Sequence, residues 1–143
     1  MIILDTDVLS ALMRAKPDTA VVTWLDRQPD SSIWTTSITV MEIRYGLQSM
    51  PAGRRRERMT EALEAVLREE IEERYASFDL AAAQEAADLM ALRKARGRPV
   101  EFRDTMIAGI ALSTRATLAT RNTAHFADLS VPVINPWATQ NAI

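Results

Sequence analysis

The chain reads as a three-layer α/β protein, with a central parallel sheet of about five strands flanked by helices. Three observations predict this. Short apolar, β-favouring runs recur at residues 2–4, 33–37, 75–78, 117–120 and 131–134. Segments of helical periodicity separate most of them, the alternation that places parallel strands between layers of helices. Four polar residues, Asp5, Glu42, Asp104 and Asn122, each stand where an apolar run gives way to a helix-like pattern. In a parallel sheet such positions share one edge, and ligands bind beyond the carboxyl ends of the strands.

Taken in order, Met1-Ile2-Ile3-Leu4 has the uninterrupted apolar character of a buried parallel strand. A helix over 8–14 follows, with Asp7 as its expected N-cap and Pro17 beyond its end. A second helix covers 19–27 and a strand 33–37. The third helix spans 40–48, where Thr39-Val40-Met41-Glu42 matches a capping box and gives Glu42 a purely structural alternative. Pro51 introduces a long charged helix. Its Met59, Leu63, Leu67 and Ile71 recur every four residues beneath Arg54-Arg55-Arg56 and Glu69-Glu70, a stripe expected to serve an interface. Another helix, 81–96, is stopped by Gly97 and Pro99. Asp104 then opens the run 105–112. No linker, repeat or low-complexity segment interrupts this order, so residues 1–143 are expected to form one domain.

Composition narrows the chemistry. The chain has 143 residues, 48% of them hydrophobic and 25% charged, the balance of a globular domain with a real core. No apolar stretch approaches the roughly 20 residues of a membrane span. The apolar start is too short for a signal peptide, so a cytoplasmic protein is expected. There is no cysteine, and His125 is the only histidine. Thiolate sites are thereby excluded, and a zinc site would need carboxylates for nearly all its ligands. The formal net charge of −2 supplies no global attraction for nucleic acid, so any such partner must be held by local basic clusters.

Three carboxylates and an amide gathered at one sheet edge would make a hard, oxygen-only site suited to Mg²⁺ or Mn²⁺. That is the chemistry of a metal-dependent phosphodiester hydrolase. Each residue also has a plainer explanation. Asp104 suits a first helical turn through the helix dipole, and Asn122 forms turns readily. Asp5 is the exception, because a carboxylate directly after four apolar residues is costly unless something pairs with it. The clusters Arg54-Arg55-Arg56-Glu57-Arg58 and Arg93-Lys94-Ala95-Arg96-Gly97-Arg98 read first as solvated helix faces. The second lies just before Asp104, where a basic rim beside an acidic site suits a polyanion. His125 reads as a loop or capping residue.

The chain resembles the PIN-domain ribonucleases, and among them the VapC-like toxins of bacterial toxin–antitoxin pairs. The resemblance rests on Ile3-Leu4-Asp5-Thr6-Asp7-Val8-Leu9-Ser10, on Ser37-Ile38-Thr39-Val40-Met41-Glu42-Ile43-Arg44-Tyr45-Gly46-Leu47 and on Asp104-Thr105-Met106-Ile107-Ala108-Gly109-Ile110-Ala111. It continues through Leu118-Ala119-Thr120-Arg121-Asn122-Thr123-Ala124-His125-Phe126 and Asn135-Pro136-Trp137, in family order over nearly the whole length. It implies a PIN-like α/β fold, Mg²⁺- or Mn²⁺-dependent RNA cleavage, a homodimer, and inhibition by a cognate antitoxin. Asp5, Glu42 and Asp104 match the family's three acidic positions and are the implied metal ligands. Asn122 falls where many members carry a fourth acid, and Asp7 where asparagine is commoner. Thr6 and Thr120 are candidate hydrogen-bond donors to the site carboxylates.

Other classes fit less well. A haloacid-dehalogenase-like phosphatase also opens on a strand and D-x-D, here Asp5-Thr6-Asp7, but needs a later lysine after a strand. Lys16 and Lys94 are the only lysines, and neither follows one. A response-regulator receiver using Asp79 needs a lysine after its last strand, and residues 131–137 supply none. A PIN-like protein that only binds a partner, without catalysis, is the remaining alternative.

Overall fold

The structure is a computed structural model that describes residues 1–99 and 101–138. Five parallel strands form one sheet in the order β3-β2-β1-β4-β5. They are β1 (Ile2–Leu4), β2 (Ile33–Thr36), β3 (Tyr75–Ala76), β4 (Thr117–Ala119) and β5 (Val133–Ile134). The central strand β1 pairs with β2 through Ile3↔Trp34 and with β4 through Ile3↔Leu118. Its side chains are covered on both faces, as its unbroken apolar run requires: Ile3 and Leu4 are fully buried.

Among the described residues six α-helices cover the sheet: α1 (Thr6–Leu12), α2 (Thr19–Asp26), α3 (Ser37–Ser49), α4 (Arg54–Val66), α5 (Leu80–Ala95) and α6 (Phe102–Thr114). On one face Leu4 and Ile33 pack with Val8, Leu9, Val21, Trp24, Leu25, Ile43 and Leu63 from α1 to α4. On the other, Ile3 and Leu118 pack with Ala82, Leu89, Ile107 and Ile110 from α5 and α6. These are the three expected layers, a parallel sheet covered by helices on both faces.

The helix hairpin α5–α6 packs unusually close. A β-carbon built on Gly109 would stand 2.5 Å from the Ala82 carbonyl oxygen and 2.9 Å from the Ala86 β-carbon. The bare glycine is therefore what lets the two backbones meet.

Three local expectations are corrected. The charged stripe is core: Leu63, Leu67 and Ile71 are buried and Met59 packs against them, α4 continuing into a π-helical turn at Leu67–Ile71. Burial in the core accounts for Leu63, Leu67 and Ile71, while partly buried Met59 lines a groove between α4 and the α1–α2 pair. The cap of α1 is Asp5, whose carboxylate accepts from the Val8 N–H, so the helix starts earlier than expected and exposed Asp7 lies within its first turn. Finally, α3 begins at Ser37 with Thr36 as its cap, donating nothing to Glu42, which lies in the second turn and belongs to no capping box.

Candidate metal centre

Of the four polar residues singled out from sequence, Asp5 and Asn122 follow strands β1 and β4. Glu42 lies in the second turn of the helix after β2, and Asp104 follows no strand but opens α6 after the α5–α6 turn. Asp5 leaves β1 directly, its N–H donating to the Ala119 carbonyl of β4 at 3.0 Å. Its residue surface is 6% exposed. One carboxylate oxygen accepts from Val8 N–H at 3.1 Å, and the Thr120 hydroxyl bonds the same group. Despite these bonds its pKa is pushed up to about 6, first by loss of solvent and then by the charges of Asp7 and Asp104.

Glu42 projects from α3 toward the N-terminus of α1. Its Oε1 accepts from the Thr6 hydroxyl at 3.0 Å, and Thr6, Thr39 and Thr36 form a chain of hydroxyls spaced 3.3 and 3.2 Å apart. The other oxygen lies 3.7 Å from the Arg103 guanidinium, whose Nε stands 3.7 Å from Glu101. Partial burial raises the Glu42 pKa, with Arg103 opposing and Asp104 adding to the rise.

Asp104 occupies the first turn of α6, two residues after that helix begins. It acts electrostatically on both Asp5 and Glu42, so it is the common member of two carboxylate pairs. Its Oδ2 stands 3.4 Å from His125 Nδ1. Among the described residues no three Asp, Glu or His side chains are drawn together into a closed cage around a cation. Asn122 stands at the margin. It is exposed and begins a 3-10 turn, Thr123–Phe126, without a side-chain cap bond. Its N–H donates to the Thr120 hydroxyl at 3.1 Å, the hydroxyl that bonds Asp5. The structure thus couples Asp104 pairwise to Asp5 and to Glu42, and links Asn122 to Asp5 through Thr120, without closing the three acids into one ligand cluster among the described residues.

Known proteins bear on this arrangement. The model of the family described as PIN domain matches residues 2–131. This chain belongs to the PIN-domain family. It is 41% identical over 137 residues to VapC ribonuclease Y4jK of Sinorhizobium fredii, covering 96% of this chain and 98% of that one. It is 34% identical to toxin FitB of Neisseria gonorrhoeae, covering 96% and 99%. The solved structure of FitAB bound to IR36 DNA fragment superposes with a TM-score of 0.85 at 33% identity, covering 96% of each chain. The phosphatase and receiver alternatives fall with the fold; Asp79 caps α5, accepting from Ala82 N–H.

Sequence reasoning missed two neighbours of the PIN-domain site. His125 was read as a loop residue, yet its ring faces Asp104; the signal available was its place three residues after Asn122, one turn along. Arg103 carried the other signal, adjacency to Asp104, and its guanidinium spans Glu42 and Glu101.

Proposed function

We propose that this chain is a single PIN domain over residues 1–143 and a metal-dependent ribonuclease, the toxin of a toxin–antitoxin pair. The observation that carries the reading is Asp104 coupling to both Asp5 and Glu42 at one edge of a parallel sheet. Relatives named as a VapC ribonuclease and a toxin support the same reading.

The donor set suits a hard divalent cation. Asp5, Glu42 and Asp104 offer only oxygen, and cysteine is absent. A buried carboxylate with its pKa raised to about 6 is one that a cation would stabilise in its charged form. Asp5, Glu42 and Asp104 would hold Mg²⁺ or Mn²⁺. Such an ion, once bound, lowers the pKa of water and offsets charge developing on a phosphate.

The remaining steps belong to the chain itself. Thr120 and the α1 N-terminus orient Asp5, while Thr6 orients Glu42. Arg103 neutralises part of the carboxylate charge before substrate arrives. Asn122 contributes an amide beside this set without adding charge, and belongs to the catalytic group in this reading.

The partners are RNA as substrate and a cognate antitoxin protein, in the cytoplasm. No helix among the described residues is long and apolar enough to cross a membrane. A homodimer is proposed as well. Exposed Met41, Tyr45 and Phe102 on the touching helices α3 and α6 supply apolar surface for it.

Purified protein free of antitoxin should cut RNA with Mg²⁺ or Mn²⁺ and stop in EDTA. Cleavage undiminished by chelator would overturn the metal, and no cleavage under any divalent ion would favour the partner-binding alternative.

A further inference from the structure

Beside Asp104 lies a second, smaller feature that the acid site does not use. A cavity of about 120 Å³ is lined by Arg93, Arg98, Pro99, Glu101, Asp104 and His125. Its volume is a few times the roughly 30 Å³ of a water, room for a small charged group and not for a base.

The cavity wall is built around a buried ion pair. The Arg93 side chain is 5% exposed and that of Asp128 6%. Arg93 Nε and Nη2 donate to the two carboxylate oxygens of Asp128, each at 2.9 Å. This fork-on-fork geometry is the strong form of the pair. Nη2 also donates to the His125 carbonyl at 2.8 Å, and Nη1 reaches the Thr105 hydroxyl at 3.4 Å. Arg93 thereby ties the turn bearing His125 to α5 and α6.

The cavity lining is balanced in charge, and its two arginines Arg93 and Arg98 share one carboxylate, Asp128. Arg93 balances Asp128, whose pKa the Arg93 hydrogen bonds lower, so it stays ionised. Glu101 has Arg103 within 3.7 Å. Arg98 shares Asp128 Oδ2 with Arg93, standing 3.1 Å from it. The Arg98 side chain is 38% exposed, and no hydrogen bond to its guanidinium forms among the described residues. It is a steered arginine with donors to spare, opening on the cavity next to Asp104.

We propose that Arg98, positioned by the buried Arg93–Asp128 pair, binds a backbone phosphate of the RNA adjacent to the bond being cut. This rests on the ribonuclease reading and extends it to a named contact. A guanidinium suits that task because its planar fork matches phosphate oxygens.

The test measures binding separately from cleavage. A fluorescein-labelled single-stranded RNA of mixed sequence is titrated by anisotropy in EDTA, over roughly 50 to 200 mM salt. Each phosphate contact to single-stranded nucleic acid contributes about 0.7 to the slope of log affinity against log salt. Arg98→Gln should therefore flatten that slope by about 0.7 and weaken binding about fivefold near 0.1 M salt, one decade below the 1 M reference. Arg98→Lys should restore the slope, the charge being kept. Arg27→Gln, at the C-terminal cap of α2, should match the parent protein. With cleavage assayed in parallel, Arg98→Gln should raise KM and leave kcat nearly unchanged.

An unchanged slope in a folded Arg98→Gln protein overturns the proposal, as does a slope that Arg98→Lys fails to restore. Loss of cleavage in the parent protein with the Arg98-dependent slope intact would instead count against the ribonuclease reading alone.

Discussion

Asp5→Asn should make the metal-free protein more stable while abolishing cleavage. In the fold the Asp5 pKa is about 6 against an ordinary 3.8, because burial disfavours the charged form. Below about pH 4 the carboxyl is protonated in both folded and unfolded chains, and no penalty exists. The penalty grows as pH rises toward 6 and is complete above it. A shift of about two units at 1.4 kcal/mol each corresponds to roughly 3 kcal/mol of stability withheld at neutral pH. Asparagine keeps the oxygen that accepts from Val8 N–H and caps a helix as well as aspartate. For a chain of this size each kcal/mol moves Tm by roughly 2–4 °C, so the variant should melt about 6–12 °C higher at pH 7.5 in EDTA. The difference should shrink steadily and vanish near pH 4. Calorimetry across that pH series decides the matter. A variant that melts lower at pH 7.5, or a gain that is the same at pH 4, would refute the reasoning.

Three further outcomes follow from the same geometry. Arg93→Met should cost about 3–5 kcal/mol, because it leaves Asp128 buried without its partner, and Asp128→Asn added to it should recover part of the loss in a double-mutant cycle read by urea unfolding. Gly109→Ala should destabilise by about 1–3 kcal/mol despite alanine's better helix propensity, since the new methyl meets the Ala82 carbonyl; a rise in Tm would show that α5 can yield. Asn122→Asp should preserve cleavage and lower the Mg²⁺ or Mn²⁺ concentration for half-maximal rate, by adding negative charge beside Asp5 and Thr120; isothermal titration with Mn²⁺ that finds no tighter binding would leave Asn122 a turn residue only.

Much of the fold was legible because its signals are short-range. Strand β1 lies in a run of four apolar residues that meets an acid, and α5 is stopped by Gly97, which adopts φ +69 as a helix-ending glycine does. The errors arose where two local rules competed. Asp5 and Asp7 are both good caps, and only the Ala119 carbonyl holding the Asp5 backbone makes Asp5 the one that turns into the helix. Thr36 and Thr39 are likewise both cap residues, and the earlier one won as β2 ended. The α4 stripe was read as an interface because periodicity reports an apolar face without naming what covers it. At the site, the acids announced themselves by breaking apolar runs. Arg93 and Asp128 did not, since a buried salt bridge between residues 35 apart in sequence leaves no trace in either local pattern.

The sheet order also sets when activity can appear. Strand β1 emerges first during synthesis yet lies between β2 and β4, and β4 arrives only at residue 117. Asp5 is anchored by the Ala119 carbonyl and by Thr120, and Asp104 precedes them only slightly. Contacts spanning more than a hundred residues close late and slowly, after their loop entropy has been overcome. A chain stopped just before residue 117 therefore carries all three acids but not the strand that anchors Asp5. The bonds that hold Asp5 in place form only once β4 and Thr120 have been made.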